Sequence, residues 1–211
     1  MTKWTSEGAP LPALREPFAG DFHPFGCAGI TVDAADHLYV TGSAVGMVAK
    51  LTSSGWIIAL WGSSGAGDGQ FAVPVGCAVD TQHNLYVVDH GNHRVQKFNS
   101  SGLFLGKWGS AGSGDGQFSS PQGIAIDNAG RIYVADSGND RIQVFDESGN
   151  FLAKWGASGT GDGQFAVPKG VAVDDPGAIY VLDANNNRVQ KFGWSISVQQ
   201  SSWAMTKSLY R

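Results

Sequence analysis

"GSGDGQF", residues 112–118, places three glycines at alternate positions around an aspartate. A glycine-rich run can cradle phosphate when a strand precedes it and a helix follows, because the helix N-terminus receives the anion. Here the run leads through Phe118 and Pro121 into "GIAID", which has the composition of a strand. The motif also recurs as "GAGDGQF" at 65–71 and "GTGDGQF" at 159–165, a spacing of 47 residues both times. The sequence therefore predicts a structural connection within a repeat, with the glycines for tight turns.

The rest of the 47-residue unit recurs in the same register. Each copy holds a proline and four apolar or alternating runs, such as "GIAID", "IYVAD", "RIQVF" and "FLAKWG", separated by turn residues. These runs are too short for helices and are rich in Val, Ile, Tyr and Phe, which favours strands. A sheet of four short strands cannot bury both faces alone, so the copies must stack radially. We predict an all-β protein, a β-propeller built from four 47-residue, four-stranded antiparallel blades.

The pattern "P-x-G-hydrophobic-A-V-D … G-x-I-Y-V-x-D-x-x-N-x-R-V-Q-x-F … G-x-F-L-x-K-W-G" resembles NHL repeats. The resemblance is strong over residues 56–192 and weaker over 22–55. It implies a propeller of six blades, whereas this chain has four units. Three arrangements therefore stay open: a four-bladed ring, a partial six-bladed propeller, and self-association of two or more chains to complete the propeller.

The repeat also predicts the domain organisation. An NHL-type propeller is predicted over 1–192, followed by a non-repeat tail at 193–211. Residues 1–8 resemble the end of a repeat, so they are predicted to supply a closing outer strand to the fourth blade. The alternative source of that strand is 196–203. The four blades are predicted at about 22–61, 71–108, 118–155 and 165–203.

Composition limits the classes of partner. The net charge of -4 and the pI near 5.6 give no bulk positive field that would attract nucleic acid or anionic lipid. No signal peptide or long apolar run is present, so the default expectation is a cytoplasmic protein without a membrane partner. Cys27 and Cys77 lie in apolar "GCA" triplets and are predicted to be buried free thiols.

An aspartate and an arginine five residues apart occur together in three units and are absent together from the first. There, Gly42 and Met47 occupy the equivalent positions. Joint presence or absence predicts a bond between them, since losing one partner would leave the other unpaired. The predicted structural pairs are Asp89 with Arg94, Asp136 with Arg141, and Asp183 with Arg188.

The loop that enters each blade and the loop between its second and third strands are predicted to share one face. Positions that differ between copies of these loops are where selective binding can reside. We predict a non-catalytic binding scaffold that presents this face to a protein or peptide. The candidate positions are Val75, Gln122 and Lys169 near the axis, then His90, Ser137 and Ala184, and then His93, Asp140 and Asn187.

Two alternatives come from related propellers. A lactonase- or lyase-type propeller enzyme would need a central metal. His90 and His93 have a plausible spacing for two metal ligands and His23 can share their face, but the repeat pattern fixes no third ligand. RNA binding occurs in some NHL domains through a basic face, but Lys169 is the one cation among the three inner positions here. We therefore predict no catalytic residue, metal or cofactor, and RNA is not the favoured partner.

Overall fold

The computed structural model describes residues 25–195 and 204–207, with side chains from 25 to 193. The described chain forms four antiparallel sheets of four strands, each built in chain order from its innermost to its outermost strand. Blade 1 contains β1 (Cys27–Val32), β2 (Leu38–Gly42), β3 (Met47–Leu51) and β4 (Ile57–Trp61). Blade 2 contains β5 (Pro74–Val79), β6 (Leu85–Asp89), β7 (Arg94–Phe98) and β8 (Phe104–Trp108). Blade 3 contains β9 (Ile124–Ile126), β10 (Ile132–Asp136), β11 (Arg141–Phe145) and β12 (Phe151–Trp155). Blade 4 contains β13 (Pro168–Val173), β14 (Ile179–Asp183), β15 (Arg188–Ser195) and β16 (Ala204–Lys207). The all-β propeller fold is therefore confirmed.

The repeated aspartate after each first strand forms the turn into the second. In blade 3, Asp127 Oδ1 accepts the N–H groups of Ala129 and Arg131, both at 2.9 Å. Its other oxygen accepts the Tyr133 hydroxyl at 2.9 Å. This Asx turn joins the two strands without a helix and fixes the position of the buried tyrosine.

Aromatic side chains fill the space between neighbouring blades. Phe118, from the loop that enters blade 3, is fully buried and packs 5.5 Å from the ring of Phe145. Trp108 of blade 2 lies 5.8 Å from the same ring. The core is therefore a series of layers between sheets, each made from both blades. This is why a single blade could not be stable alone.

The blades pack in chain order, β1 and β2 on β5, β5 on β9, and β9 and β10 on β13. No comparable packing joins blade 4 to blade 1 among the described strands. We call the side of each sheet that faces the following blade its leading face and the opposite side its trailing face. The leading face of blade 4 and the trailing face of blade 1 each expose large apolar side chains.

Two details differ from the sequence-based expectations. The prediction that Cys27 is buried is wrong, since Cys27 is exposed at the start of β1 while Cys77 is buried. The physical reason is register, because Cys27 occupies the place of Pro74 and pairs with Gly42 as Pro74 pairs with Asp89. The outermost strand of blade 4 is β16, which begins just after the predicted segment 196–203. The two segments predicted to supply this strand, 196–203 and 1–8, lie outside the described residues.

Within the described residues, no helix has the length and apolar character that crossing a bilayer would require. Their only helical elements are three short 3₁₀ turns, at His90–Asn92, Ser137–Asn139 and Ala184–Asn186. Each turn connects the second and third strands of its blade and ends at a residue in the left-handed region.

Candidate functional site

The loop "GSGDGQF" wraps around an arginine of its own blade. Arg141, at the start of β11, donates from Nη1 to Ser113 O at 2.7 Å and from Nη2 to Gly114 O at 2.7 Å and Gln117 O at 2.9 Å. Its Nε donates to Asp136 Oδ2 at 2.7 Å. The loop thus turns carbonyl oxygens towards a cation, which is the opposite polarity from the N–H groups that bind phosphate.

We call the entering loop, bonded around its arginine, a loop cage. Two amide side chains complete the loop cage of blade 3. Asn139 Nδ2 donates to Gly112 O and to Asp136 Oδ2, both at 2.9 Å. Gln143 donates from Nε2 to the Gln117 carbonyl at 2.6 Å, and its Oε1 accepts the Gly116 N–H at 3.0 Å. The N–H groups of all three glycines of the loop are therefore bonded within the protein, since Gly112 donates to Phe118 O and Gly114 donates to Gln117 Oε1. The same bonds recur around Arg94 in blade 2 and Arg188 in blade 4.

Two glycines of the loop are required by its geometry. Gly112 has φ +150°, and a Cβ there would lie 2.3 Å from Oε1 of Gln117. Gly116 has φ +75°, in the left-handed region that other residues adopt only with strain. Between them, exposed Asp115 pairs with Lys154 of the outermost strand β12. The repeated glycines are thus explained by the closed path of the chain around arginine.

The three aspartate–arginine pairs have the same geometry and differ in burial. The Nε to Oδ2 distances are 2.8 Å for Arg94, 2.7 Å for Arg141 and 2.8 Å for Arg188. The Arg188 side chain is 29% exposed, against 9% for Arg141 and 7% for Arg94. Every paired aspartate is fully buried. The pair in blade 4 is therefore more accessible to water than the other two.

The carboxyl of Asp183 shows the effect of this network on ionisation. Burial alone would raise the pKa of Asp183, because it disfavours the charged form. Hydrogen bonds from the Ala166 N–H and from Asn186, Arg188 and Gln190 outweigh burial, so the pKa lies below its usual value. The network is thus built around an ionised aspartate.

Blade 1 replaces the ion pair with an apolar contact. Gly42 and Met47 pair across β2 and β3 as Asp89 and Arg94 pair across β6 and β7. Phe25 packs so closely on Gly42 that a Cβ there would lie 2.6 Å from the ring. Both charges are therefore absent, and an aromatic ring occupies the space beside the glycine.

The two histidines predicted for the binding face bond to the neighbouring blade. His90 Nδ1 lies 3.0 Å from Pro121 O, and His93 Nδ1 accepts the Ser120 N–H at 3.1 Å. Each histidine thus uses its Nδ1 atom in a contact with blade 3. His23 lies outside the described residues.

The equivalent side chains of blade 3 make the same kind of link. Ser137 Oγ donates to Pro168 O at 2.6 Å, and Asp140 Oδ1 accepts the Val167 N–H at 2.8 Å. In blade 4 these positions are Ala184 and Asn187, and Asn187 is exposed. In blades 2 and 3, the side chains at these varying positions therefore bond to the next blade, a role that the sequence did not indicate.

The three innermost predicted positions occupy equivalent places on successive blades. Val75 and Gln122 are half-buried and Lys169 is exposed. Their carbonyl groups contact a glycine of the preceding blade: Gly76 N donates to Gln122 O at 3.2 Å, and a Cβ at Gly123 would lie 2.6 Å from Lys169 O. The backbone at these positions is therefore fixed by the neighbouring blade, while the side chains differ in size and charge.

Sequence reasoning missed the amides and the close-approach glycines. Asn139 and Gln143 are repeated in "N-x-R-V/I-Q", so their recurrence was a visible signal, but their bonds to the entering loop depend on tertiary structure. In the described part of the chain, no group of three or more His, Cys, Asp or Glu side chains is placed to hold a metal ion.

Four radially stacked, four-stranded sheets with repeated loop cages define a β-propeller. A family model for the NHL repeat matches residues 71–98, 118–145 and 165–192, which lie in blades 2, 3 and 4. This chain is therefore a β-propeller that carries NHL repeats. No curated protein sequence matches it.

Solved structures with a similar fold include enzymes and proteins of unknown function. Virginiamycin B lyase from Staphylococcus aureus, in a catalytically inactive form with quinupristin, is 14% identical with a TM-score of 0.65, covering 98% of this chain and 61% of the lyase. A streptogramin B lyase is 16% identical with a TM-score of 0.64, covering 93% of this chain and 62% of the lyase. A Bacteroides thetaiotaomicron protein of unknown function is 18% identical with a TM-score of 0.68, covering 88% and 51% of the two chains. The chain thus spans about three fifths of the length of the two lyases, and at these identities the likeness shows the fold.

Proposed function

We propose that this chain is a non-catalytic binding propeller whose loop face receives a protein or peptide. The loop face comprises the entering loops, the three 3₁₀ turns and the side chains of Val75, Gln122 and Lys169. The observation that supports the proposal is the contrast between a repeated internal frame and unlike side chains upon it. A rigid surface binds with little loss of conformational entropy, so such a frame favours recognition of a partner.

The frame is internally satisfied in each complete cage. The repeated Asp, Asn, Arg and Gln side chains bond to the loop backbone, so they are committed to the fold rather than free to bind a ligand. The committed arginines also leave few cations for phosphate contacts, which is why the proposal names a protein or peptide rather than RNA.

The half-buried and exposed positions beside the frame carry different side chains in different blades. Where blade 3 has Ser119, Ser120 and Gln122, blade 4 has an alanine, a valine and the exposed Lys169. Blade 2 has alanine, valine and Val75 at the same positions. From blade 2 to blade 4, a partner would therefore meet an apolar, a polar and a basic segment in sequence around the axis, and this asymmetry can specify one binding orientation.

The experiment is a selection of peptides on the immobilised chain, followed by titration calorimetry of the selected peptides. Changing both Gln122→Ala and Lys169→Ala should weaken binding at least about tenfold, equivalent to about 1.4 kcal/mol. Gln82→Ala is the matched control, because this exposed side chain lies in the turn between β5 and β6, on the opposite side of the blade. Circular dichroism would verify that all variants fold. Peptides that bind the double variant and the wild type equally would contradict the proposal, as would a selection that yields no peptide.

A further inference from the structure

The leading face of blade 4 has the composition of a surface that another blade covers. Leu182 is 46% exposed and Val189 is 60% exposed. Their equivalents in blade 3, Ala135 and Ile142, are fully buried against blade 4, and those in blade 2 are fully buried against blade 3. The same positions are therefore core residues in one blade and surface residues in another.

The innermost strand of blade 4 shows the same open position. In blades 1 to 3 a glycine in the first strand, or just before it, approaches a carbonyl of the next blade. A Cβ added at Gly29 would lie 2.1 Å from Val75 O, and one added at Gly123, just before β9, would lie 2.6 Å from Lys169 O. Among the described residues, a Cβ added at Gly170 would meet within 4 Å only the side chain of Leu182, which belongs to the same sheet. Blade 1 thus does not occupy the position of a following blade next to Gly170.

The trailing face of blade 1 carries the complementary surface. Ile30 is 52% exposed and Val32 is 55% exposed. Their equivalents in blade 3 are Ile124, which is 7% exposed, and Ile126, which is half-buried, and both pack against blade 2. Blade 1 therefore presents the side of a sheet that a preceding blade covers elsewhere in the molecule.

Blade 4 and blade 1 also carry the two partners of a polar contact that joins neighbouring blades within the chain. Asp140 accepts the N–H of Val167, a residue with φ +53°, across the joint between blades 3 and 4. Asn187 occupies the place of Asp140 in blade 4, and Gly26, with φ +58°, occupies the place of Val167 in blade 1. The amide oxygen of Asn187 can accept an N–H as the Asp140 carboxylate does.

We propose that two copies of this chain join head to tail, the leading face of blade 4 of each copy packing on the trailing face of blade 1 of the other. Both contacts would repeat the interface that already occurs three times within one chain. A two-fold axis along the propeller axis would relate the copies and give a ring of eight blades. The four described blades of each copy would make eight in the ring, which lies within the four to eight blades that propellers typically have.

Closure has a consequence for the loop face. All eight blades would have the same orientation, so the loops of both copies would lie on the same side of the ring. Each copy would contribute half of that surface. This inference is independent of the proposed function, because it concerns the ends of the arc and not the ligand of the loops.

The first test is the mass of the purified full chain in solution, measured by native mass spectrometry and light scattering. We expect a dimer of the 22.1 kDa chain. Leu182→Asp and Ile30→Asp should each give monomers, since each places a charge in both contacts of the ring. Leu152→Asp is the control, because Leu152 is also 46% exposed but lies on the outermost strand β12, and it should leave the dimer intact.

The second test mixes the two monomeric variants. A Leu182→Asp copy retains its blade 1 face and an Ile30→Asp copy retains its blade 4 face, so the mixture should recover a heterodimer through one intact contact. A contact between two blade 4 faces would instead be insensitive to Ile30→Asp, and the mixture would show no recovery. Circular dichroism of each variant separates loss of association from loss of fold. A monomeric wild type, a dimer that survives both variants, or a mixture that stays monomeric would overturn the proposal.

Discussion

Arg141→Met tests whether the loop cage stabilises the fold. The substitution removes a guanidinium that is 9% exposed, together with its ion pair to a fully buried Asp136. It also leaves the carbonyls of Ser113, Gly114 and Gln117 without their charged donor. Removing one partner of a buried ion pair costs about 3–5 kcal/mol, because the other charge stays buried without compensation. In a chain of this size, that loss lowers Tm by roughly 6–20 °C.

The matched control is Arg188→Met in blade 4. Arg188 makes the same bonds, but its side chain is 29% exposed, so water can partly replace the lost partner. We expect a smaller loss of about 1–2 kcal/mol. Urea unfolding followed by tryptophan fluorescence gives both free energies, and circular dichroism gives the melting temperatures.

A double-mutant cycle separates the pair from its surroundings. Asp136→Asn alone leaves a buried guanidinium, whereas Asp136→Asn with Arg141→Met removes both charges. The double variant should therefore lose less stability than the sum of the single losses, by about 1–3 kcal/mol. An unchanged melting temperature for Arg141→Met, equal losses at Arg141 and Arg188, or simple additivity would refute the argument from burial.

Three further predictions concern thiols, turns and acid stability. Exposed Cys27 should react with a thiol reagent at pH 8 in the folded protein, whereas Cys77, whose thiol pKa is raised by burial to about 12, should react only after unfolding in urea; two fast thiols would contradict this. Gly156→Ala should destabilise more than Gly163→Ala in thermal melts, because a Cβ at Gly156 would lie 2.6 Å from the buried ring of Phe165. At Gly163 no atom of the described residues lies within 4 Å of such a Cβ, so only the positive φ costs about 1–2 kcal/mol. Because the pKa of Asp183 lies below its reference value of 3.8, its stabilisation should be complete above about pH 5 and be lost as the pH falls through the folded-state pKa. Urea midpoints between pH 7 and pH 3 should therefore fall less steeply in Asp183→Asn, and a parallel profile would count against this effect.

Much of the fold can be predicted from the sequence because the strands and turns depend on interactions within one 47-residue repeat. Strands such as Ile132–Asp136 and turns such as that at Asp127 depend on residues within one unit, and each unit contains the same signals. The aspartate–arginine partnership could also be inferred, because its two members disappear together from the first copy. Repetition within a single chain thus supplies the comparison that an isolated motif lacks.

The role of the varying residues could not be predicted from the same pattern. His93 and Asp140 differ between copies, which suggested ligand binding, yet each bonds to the backbone of the next blade. The two bonded residues lie 27 residues apart, in neighbouring blades, so the spacing of residues within one copy does not reveal the contact. Different side chains with an acceptor atom can also satisfy the same N–H, so the position varies while the contact persists.

The amino-acid sequence by itself determined the strands, the turns, the number of complete repeats and the pairing of charges, because these depend on contacts within one 47-residue unit. Only the tertiary structure decided which equivalent residues are core and which are surface. Ile142 and Val189 occupy the same position in successive units, yet one is fully buried and the other is 60% exposed. The reason is physical: burial of a sheet face depends on whether another sheet lies against it, and that neighbour is provided by the arrangement of blades rather than by the residues of the blade itself.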